Sequence, residues 1–300
     1  MINNSKLIKE NVNPDLYFIS YGSREYSVQR RRIKYQAKKF DLFKKVIIYK
    51  KNNLPIEFQS RFKDILKNKQ GDGFWIWKSC IVLETFKLME DGDVLIYVDS
   101  GSTLNVKGLG RFKEYIELFK ASKESIFLFQ MQILIEKNWT TKEVFNVFNV
   151  QNNKKITETP QFMGGVFMVK KNKSTIKFFE DFQRIVDDDN NLITNHYKEL
   201  QEEYFKDCRH DQSIMSVMSK LNGCFFLKDE TFFYTNPEEQ YNFPILTVRD
   251  GPYNYWQRVK FYTLYPINIK KIIYFQSKKF YFNNKTTLIS KFLKKISDYL

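Results

Sequence analysis

The sequence predicts an α/β fold with a mixed, mostly parallel central sheet flanked by helices. Three observations predict it. Short apolar runs alternate with longer helical stretches over the first hundred residues, in the order β-α-β-α-α-β. One of these runs, residues 94–98 (VLIYV), is apolar on both faces, as a central parallel strand is. A carboxylate, Asp99, follows it directly, at the edge where sheets of this kind bind ligands.

Taken in order, residues 16–20 (LYFIS) form the first strand, which stops at Tyr21-Gly22-Ser23. A basic helix is expected over 24–40, a strand over 44–50 and a short helix over 56–67. Gly71-Asp72-Gly73 is a break, and 74–89 reads as one long helix, too apolar all round to lie on a surface. Asp91-Gly92 ends it, and the strand at 93–98 follows. Beyond Asp99, helices are expected over 107–121, 138–149, 174–187, 192–206 and 209–220. Strands are expected over 126–131, 165–171 and 224–227, the second of them preceded by Pro160-Gln-Phe-Met-Gly-Gly165. One catalytic domain is expected over 1–260, and then a tail over 261–300.

The chain has 300 residues, of which 43% are hydrophobic, which supports a full core and excludes a disordered protein. The formal net charge of +15 fits nucleic acid, an anionic membrane surface or a phosphorylated small molecule as partner. Cys80, Cys208 and Cys224 have no paired spacing, so neither a zinc site nor a disulfide framework is expected, and a reducing compartment is. No signal peptide is read at the N-terminus, and the longest apolar run, near 126–135, is too short and too polar to span a bilayer. A cytoplasmic protein is expected, soluble or peripheral at the inner face of a membrane. The tail carries eight lysines and one acid. Over 286–299 it places Leu288, Ile289, Phe292, Leu293 and Ile296 on one helical face. That face suits either an anionic membrane or the protein's own domain.

Five constellations can carry chemistry. Asp99-Ser100-Gly101 puts a carboxylate at a strand end, where it caps a turn or ligates a hard cation that in turn binds a diphosphate. Gly71-Asp-Gly-Phe-Trp-Ile-Trp-Lys78 supplies glycines for close approach, two tryptophans, and Lys78 for a phosphate; the alternative is two core tryptophans and a solvated lysine. Arg209-His-Asp-Gln212 opens a helix, so Asp211 is either a general base or a cap, with Gln212 orienting substrate. Gly164-Gly165 before a strand lets backbone approach a ligand, or forms a bulge. Arg30, Arg31 and Arg32 lie on the first helix with Lys34, Lys38 and Lys39, and one or two of them can face a phosphate arriving at Tyr21. His196 is read as structural.

The order of these segments is a YG turn after the first strand, GxGxWxWK before a buried helix, DxxxYxDSG, WTxK, PQxxGG before a strand, and then RHDQS. It resembles a family of bacterial and viral glycosyltransferases from polysaccharide and lipopolysaccharide loci, nucleotide-diphosphosugar transferases of GT-A fold. The resemblance covers residues 16–220. It implies transfer of a hexose from a sugar nucleotide, a UDP-sugar first, to a glycan or lipid-linked acceptor hydroxyl, with Mn²⁺ or Mg²⁺ at the diphosphate. Tyr97-Val-Asp99-Ser-Gly101 stands in the place of that family's DxD-like motif, with Asp99 as metal ligand and Gly101 where a second acid would be. Trp77-Lys78-Ser79 replaces a common WKP.

On the resemblance, Tyr21 lies near the base, and Arg31, Lys78, Asp99 and Gly101 lie near the phosphates. Gly164, Gly165 and His210 border the sugar. Asp211 is the base of an inverting enzyme, or the binder of sugar hydroxyls in a retaining one with Gln212 at the anomeric carbon. The competing reading is a non-enzymatic, basic nucleic-acid-binding protein, for which the net charge and the aromatics among lysines speak. It gives no reason for an aspartate at a strand end or for a helix opening on HDQ, and no nucleic-acid partner is expected.

Overall fold

The computed structural model describes residues 14–232 and 242–247. Eight strands are present among them. They are β1 (Leu16–Tyr21), β2 (Lys45–Tyr49), β3 (Val94–Val98), β4 (Thr103–Leu104), β5 (Ile126–Ile135), β6 (Pro160–Lys170), β7 (Phe225–Lys228) and β8 (Ile245–Leu246). Six form one sheet in the order β2-β1-β3-β6-β5-β7, and β4 pairs with β8 in a small antiparallel ribbon. Strand β1 is parallel to β2 and β3, β7 is parallel to β5, and β6 runs antiparallel to both of its neighbours. Five strands therefore point one way, and their carboxyl ends share one edge. The longer helices are α1 (Ser27–Phe40), α2 (Trp77–Phe86), α3 (Leu109–Ala121), α4 (Lys173–Asp188) and α5 (Asp211–Asn222). The mixed, mostly parallel α/β architecture is the one the sequence predicts.

The period of two along a strand sends alternate side chains to opposite faces. In the two central strands both sets are apolar, so both faces are covered. Phe18, Val94, Ile96 and Val98 pack on one face against Ile33 and Phe40 of α1 and Phe112 and Phe119 of α3. Tyr17, Ile19, Leu95 and Tyr97 pack on the other face against Trp77 and Ile81 of α2, Phe179 of α4 and Met218 of α5. Burying each such side chain contributes about 1.5–3 kcal/mol. The alternation also fixes the site, because position 99 continues the Leu95–Tyr97 set and so leans toward α2 and α5.

Several boundaries differ from the sequence reading. The helix expected to start at Phe74 begins at Trp77. Residues 71–75 all have positive φ, from 50° at Phe74 to 98° at Gly73, and form one left-handed turn. Leu66 backs it, and Trp77 ties it down by donating from Nε1 to the Gly71 carbonyl at 2.8 Å. The helix expected over 192–206 is absent; the segment holds two short 3-10 turns, Asn190–Ile193 and Lys198–Leu200. Its polar side chains bind nearby backbone instead: Asp189 accepts from the Asn191 amide at 2.9 Å, and the Thr194 hydroxyl donates to the Asn191 carbonyl at 3.0 Å. The helix expected over 138–149 is split into Glu136–Trp139 and Lys142–Val147 by the extended Thr140. The strand expected to begin at Gly165 begins at Pro160, so the stretch that precedes it in the sequence reading lies inside β6. No helix among the described residues is long and apolar enough to cross a membrane. The tail over 261–300 and its amphipathic stretch at 286–299 lie outside the described residues.

Candidate active site

The carboxyl ends of β1 and β3, the middle of β6 and the start of α5 meet around a cleft of about 760 Å³. That is within the range of sites for small ligands. Tyr21, Lys78, Asp99, Gly101, Gly164, Gly165, His210, Asp211 and Gln212 all line it. Nine of the ten residues singled out from the sequence thus meet, although they span 192 positions. A smaller groove of about 570 Å³, lined by Phe58, Cys80 and Leu83, contains none of them.

Lys78 is the centre of the arrangement. It lies in the second position of α2 with 3% of its surface exposed. Its ammonium donates to Asp211 Oδ2 at 2.5 Å and to the Gly164 carbonyl at 2.8 Å, and stands 4.0 Å from Asp99 Oδ1. One buried cation therefore holds together the end of β3, the middle of β6 and the start of α5. The solvated lysine, left open by the sequence, is not what the fold builds.

Asp99 is held by its backbone and by one oxygen. Its amide donates to the Gly165 carbonyl at 2.8 Å, which continues the β3–β6 ladder, and its own carbonyl accepts from the Ser102 amide at 2.9 Å across the turn that contains Gly101. Oδ1 accepts the hydroxyl of Tyr97, two residues back on the same face. Burial and the neighbouring Asp99 charge push the Tyr97 phenol well above its ordinary range, so it remains a donor. The Asp99 side chain is 40% exposed, and Oδ2 lies beside Gly165, where a Cβ would come within 2.9 Å of it. Close approach is what this glycine provides.

Asp211 is the first residue of α5 and only 4% exposed. Burial pushes its carboxyl up to about 6, against the pull of Lys78. It enters the helix through His210, which has φ 54° and ψ −122°, a strained conformation for a residue with a side chain. The His210 ring is pinned at both nitrogens, Nδ1 on the Ile193 carbonyl and Nε2 on Gln70 Nε2, each at 2.9 Å. A carbonyl only accepts and an amide nitrogen only donates, so the proton sits on Nδ1. Burial keeps the ring's pKa below the ordinary histidine value. The ring stacks at 27° on Trp75, with centroids 5.5 Å apart. His210 thus borders the cleft as a wall, with both nitrogens spent on protein. Next along α5, Gln212 Oε1 accepts from the Gly164 amide at 3.0 Å.

Tyr21 lies flat on Trp77, with ring centroids 3.7 Å apart and planes 16° from parallel. Its hydroxyl donates to Asp72 of the left-handed turn. Trp77 and Tyr21 are buried and Trp75 is half-buried, and all three line the cleft.

Arg31 is the exception. The turn of α1 points it outward, exposed and away from the cleft. Its neighbour Arg32 faces inward at 1% exposure and donates from Nη2 to the carbonyls of Ser100 at 3.1 Å and Ser102 at 2.8 Å. The basic run alone carries no phase, and the inward position is marked only by Ile33 and Ala37 beside it. Arg32, Tyr97 and Asp72 support the site; the sequence named Arg32 only within its basic cluster, and Tyr97 and Asp72 only within their motifs, with no role of their own. Tyr97 had a signal, since a hydroxyl two residues before an aspartate on a strand shares its face.

Among the described residues no three histidine, cysteine, aspartate or glutamate side chains gather as a metal site. Asp99 offers one uncommitted oxygen. Hard divalent cations held by one carboxylate take their remaining ligands from substrate phosphates and water, so these residues suit a cation that arrives with a diphosphate.

No profile of a known protein family matches the sequence, and no curated protein matches it. Among solved structures, the chain is similar to a glycosyltransferase involved in the glycosylation of the major capsid of PBCV-1. That match has 13% identity and a TM-score of 0.44, over 82% of this chain and 98% of that one. It is also similar to mouse xyloside xylosyltransferase 1 in its apo form (12% identity, TM-score 0.39, over 78% and 97% of the two chains). A third is the galactosyltransferase LgtC in complex with donor and acceptor sugar analogs (11% identity, TM-score 0.39, over 83% and 94%).

Proposed function

We propose that this protein is a GT-A glycosyltransferase that moves a hexose from a nucleotide-diphosphate sugar, a UDP-sugar first, to a hydroxyl of a glycan or lipid-linked acceptor. One observation carries the reading. Lys78 joins Asp99 at the end of β3 to Asp211 at the start of α5, beside Gly164, Gly165 and Gln212. A buried lysine–aspartate pair beside a second, cleft-facing aspartate on the ligand edge of the sheet is an arrangement for polar chemistry and costs stability as mere packing.

The transfer breaks the bond between the anomeric carbon and the diphosphate oxygen, and the electron pair leaves with the nucleoside diphosphate. A new bond forms to the acceptor oxygen, whose proton passes to the departing diphosphate oxygen. Mn²⁺ or Mg²⁺, held by Asp99, would neutralise charge on the diphosphate. Without such a charge the carboxylate would repel the donor. Lys78 keeps Asp99 and Asp211 at a fixed separation, so the site needs little rearrangement as charge develops. Asp211 spends Oδ2 on Lys78 and turns its other oxygen to sugar hydroxyls. Gln212 stands beside the anomeric carbon, the arrangement suited to retention of configuration. Met131, Leu134 and the 64% exposed Ile133 form an apolar lip on the cleft, which suits a lipid-linked acceptor. The tail beyond residue 260 we assign to an anionic membrane surface.

The test is a screen of UDP-, GDP- and CMP-sugars for thermal stabilisation and donor hydrolysis, with and without Mn²⁺, and with single-stranded DNA as comparator. Stabilisation by a nucleotide sugar that strengthens with Mn²⁺ is expected. Silence with every nucleotide sugar, together with salt-sensitive DNA binding, would replace this reading with a nucleic-acid-binding one.

A further inference from the structure

Behind Gln212 lies a row of buried polar side chains that the proposed chemistry does not use directly. Glu136 has no exposed surface. Its carboxylate takes four donors: Thr140 Oγ1 at 2.7 Å and Gln161 Nε2 at 2.9 Å on Oε1, and Ser216 Oγ at 2.5 Å and Lys220 Nζ at 2.6 Å on Oε2. Gln161, also fully buried, then accepts on Oε1 from Gln212 Nε2 at 2.5 Å. Gln212 in turn accepts from the Gly164 amide at 3.0 Å. The row runs unbroken from an ion pair between the helix Glu136–Trp139 and α5 to the floor of the cleft.

From this order we infer that Glu136 and Gln161 are positioning residues that fix which face of the Gln212 amide meets the substrate, an inference that rests on the glycosyltransferase reading. The physical reason is directional. Both Glu136 oxygens already accept, Oε2 from Ser216 and Lys220 and Oε1 from Thr140, so Gln161 presents its NH₂ to Glu136 and its oxygen to Gln212. Gln212 then has to present its NH₂ to Gln161, and its second hydrogen points at Met131 Sδ, 3.6 Å away. Both amide hydrogens are committed. The carbonyl oxygen keeps one lone pair beyond the Gly164 bond, on a residue that lines the cleft. A glutamine free to flip would offer a donor there half the time; this one offers only an acceptor, which suits an electron-poor anomeric carbon or a sugar hydroxyl. Lys220, which can only donate, closes the far end of the row on Glu136 Oε2 at 2.6 Å, with both side chains buried.

The test combines kinetics with a readout that does not need turnover. Gln161→Met keeps the volume and removes all three hydrogen bonds of the side-chain amide, to Glu136, Thr140 and Gln212. We expect kcat to fall on the order of tenfold to a hundredfold, with the donor KM held. We also expect the shifted, slowly exchanging side-chain amide signals of Gln212 in the ¹⁵N spectrum to move to free-glutamine values. In a Gln212→Ala background the same change should cost nothing further in kcat, whereas a purely structural residue would lower it again. Glu136→Gln, which removes the forced direction and keeps the shape, should give two Gln212 amide environments. Unchanged Gln212 amide signals in Gln161→Met, or additive losses in the double variant, would overturn the inference. If the wild-type protein transfers no sugar, the amide signals still decide the relay, and that failure belongs to the functional reading alone.

Discussion

Lys78 and Asp211 bury an ion pair at 2.5 Å in the floor of the cleft, each with less than a twentieth of its surface exposed. The pair joins the second residue of one helix to the first residue of another. Neither helix end is near the other in sequence, and the cation also reaches Asp99 at 4.0 Å.

Lys78→Met leaves the Asp211 carboxylate enclosed and without its cation. Breaking a buried pair on one side costs about 3–5 kcal/mol. Urea denaturation at pH 8 should show that loss, and Lys78→Met combined with Asp211→Asn should recover most of it. A double variant no more stable than the single one would show that the pair is not what the ammonium is there for.

The pH dependence follows from Asp211. Its carboxyl is raised from 3.8 to about 6 by burial, so the folded state holds the proton more tightly than the unfolded state. The contribution to stability is therefore fully present below pH 3.8 and is lost as pH rises through about 6. Denaturation curves between these limits should show the wild type losing on the order of 3 kcal/mol relative to Asp211→Asn. Parallel curves for the two proteins would place the titration elsewhere. An activity profile should carry an inflection near the same pH that Asp211→Asn abolishes.

The two glycines of β6 should respond differently to the same methyl group. In Gly165→Ala the new Cβ meets Asp99 Oδ2 at 2.9 Å, and in Gly164→Ala it meets Gln212 Cβ at 3.0 Å and Cα at 3.2 Å. Gly165→Ala turns a carboxylate and leaves the packing of α5 alone. Its transfer rate should fall on the order of tenfold to a hundredfold, with the melting temperature nearly held. Gly164→Ala presses on the backbone of α5 and should lower both. Equal melting temperatures for the two variants would contradict this division.

Arg32 gives a prediction about the turn after β3. A lysine has no fork to span the Ser100 and Ser102 carbonyls, so Arg32→Lys should cost about 1.5–3 kcal/mol in chemical denaturation. A loss below 0.5 kcal/mol, the range of ordinary surface changes, would mean that the turn holds without it.

Much of this was legible in the chain itself. A five-residue run apolar on both faces, followed by Asp99, fixes a central strand and its ligand edge, because the period of two and the need to cover both faces leave few alternatives. The helix opening at Asp211 was legible from its polar start, and the basic first helix from its spacing. The segment 192–206 was not legible as turns, because its side chains compete for the backbone over distances that no periodicity records. Tertiary structure alone decided which arginine of α1 faces inward, since three adjacent arginines look alike until Ile33 and Ala37 find the sheet. It also decided that Lys78 is buried between Asp99 and Asp211, and that Glu136 speaks to Gln212 through Gln161. A single chain can specify its strands by local pattern, but partners 84 and 133 positions apart are chosen only when a buried charge has to find the group that neutralises it.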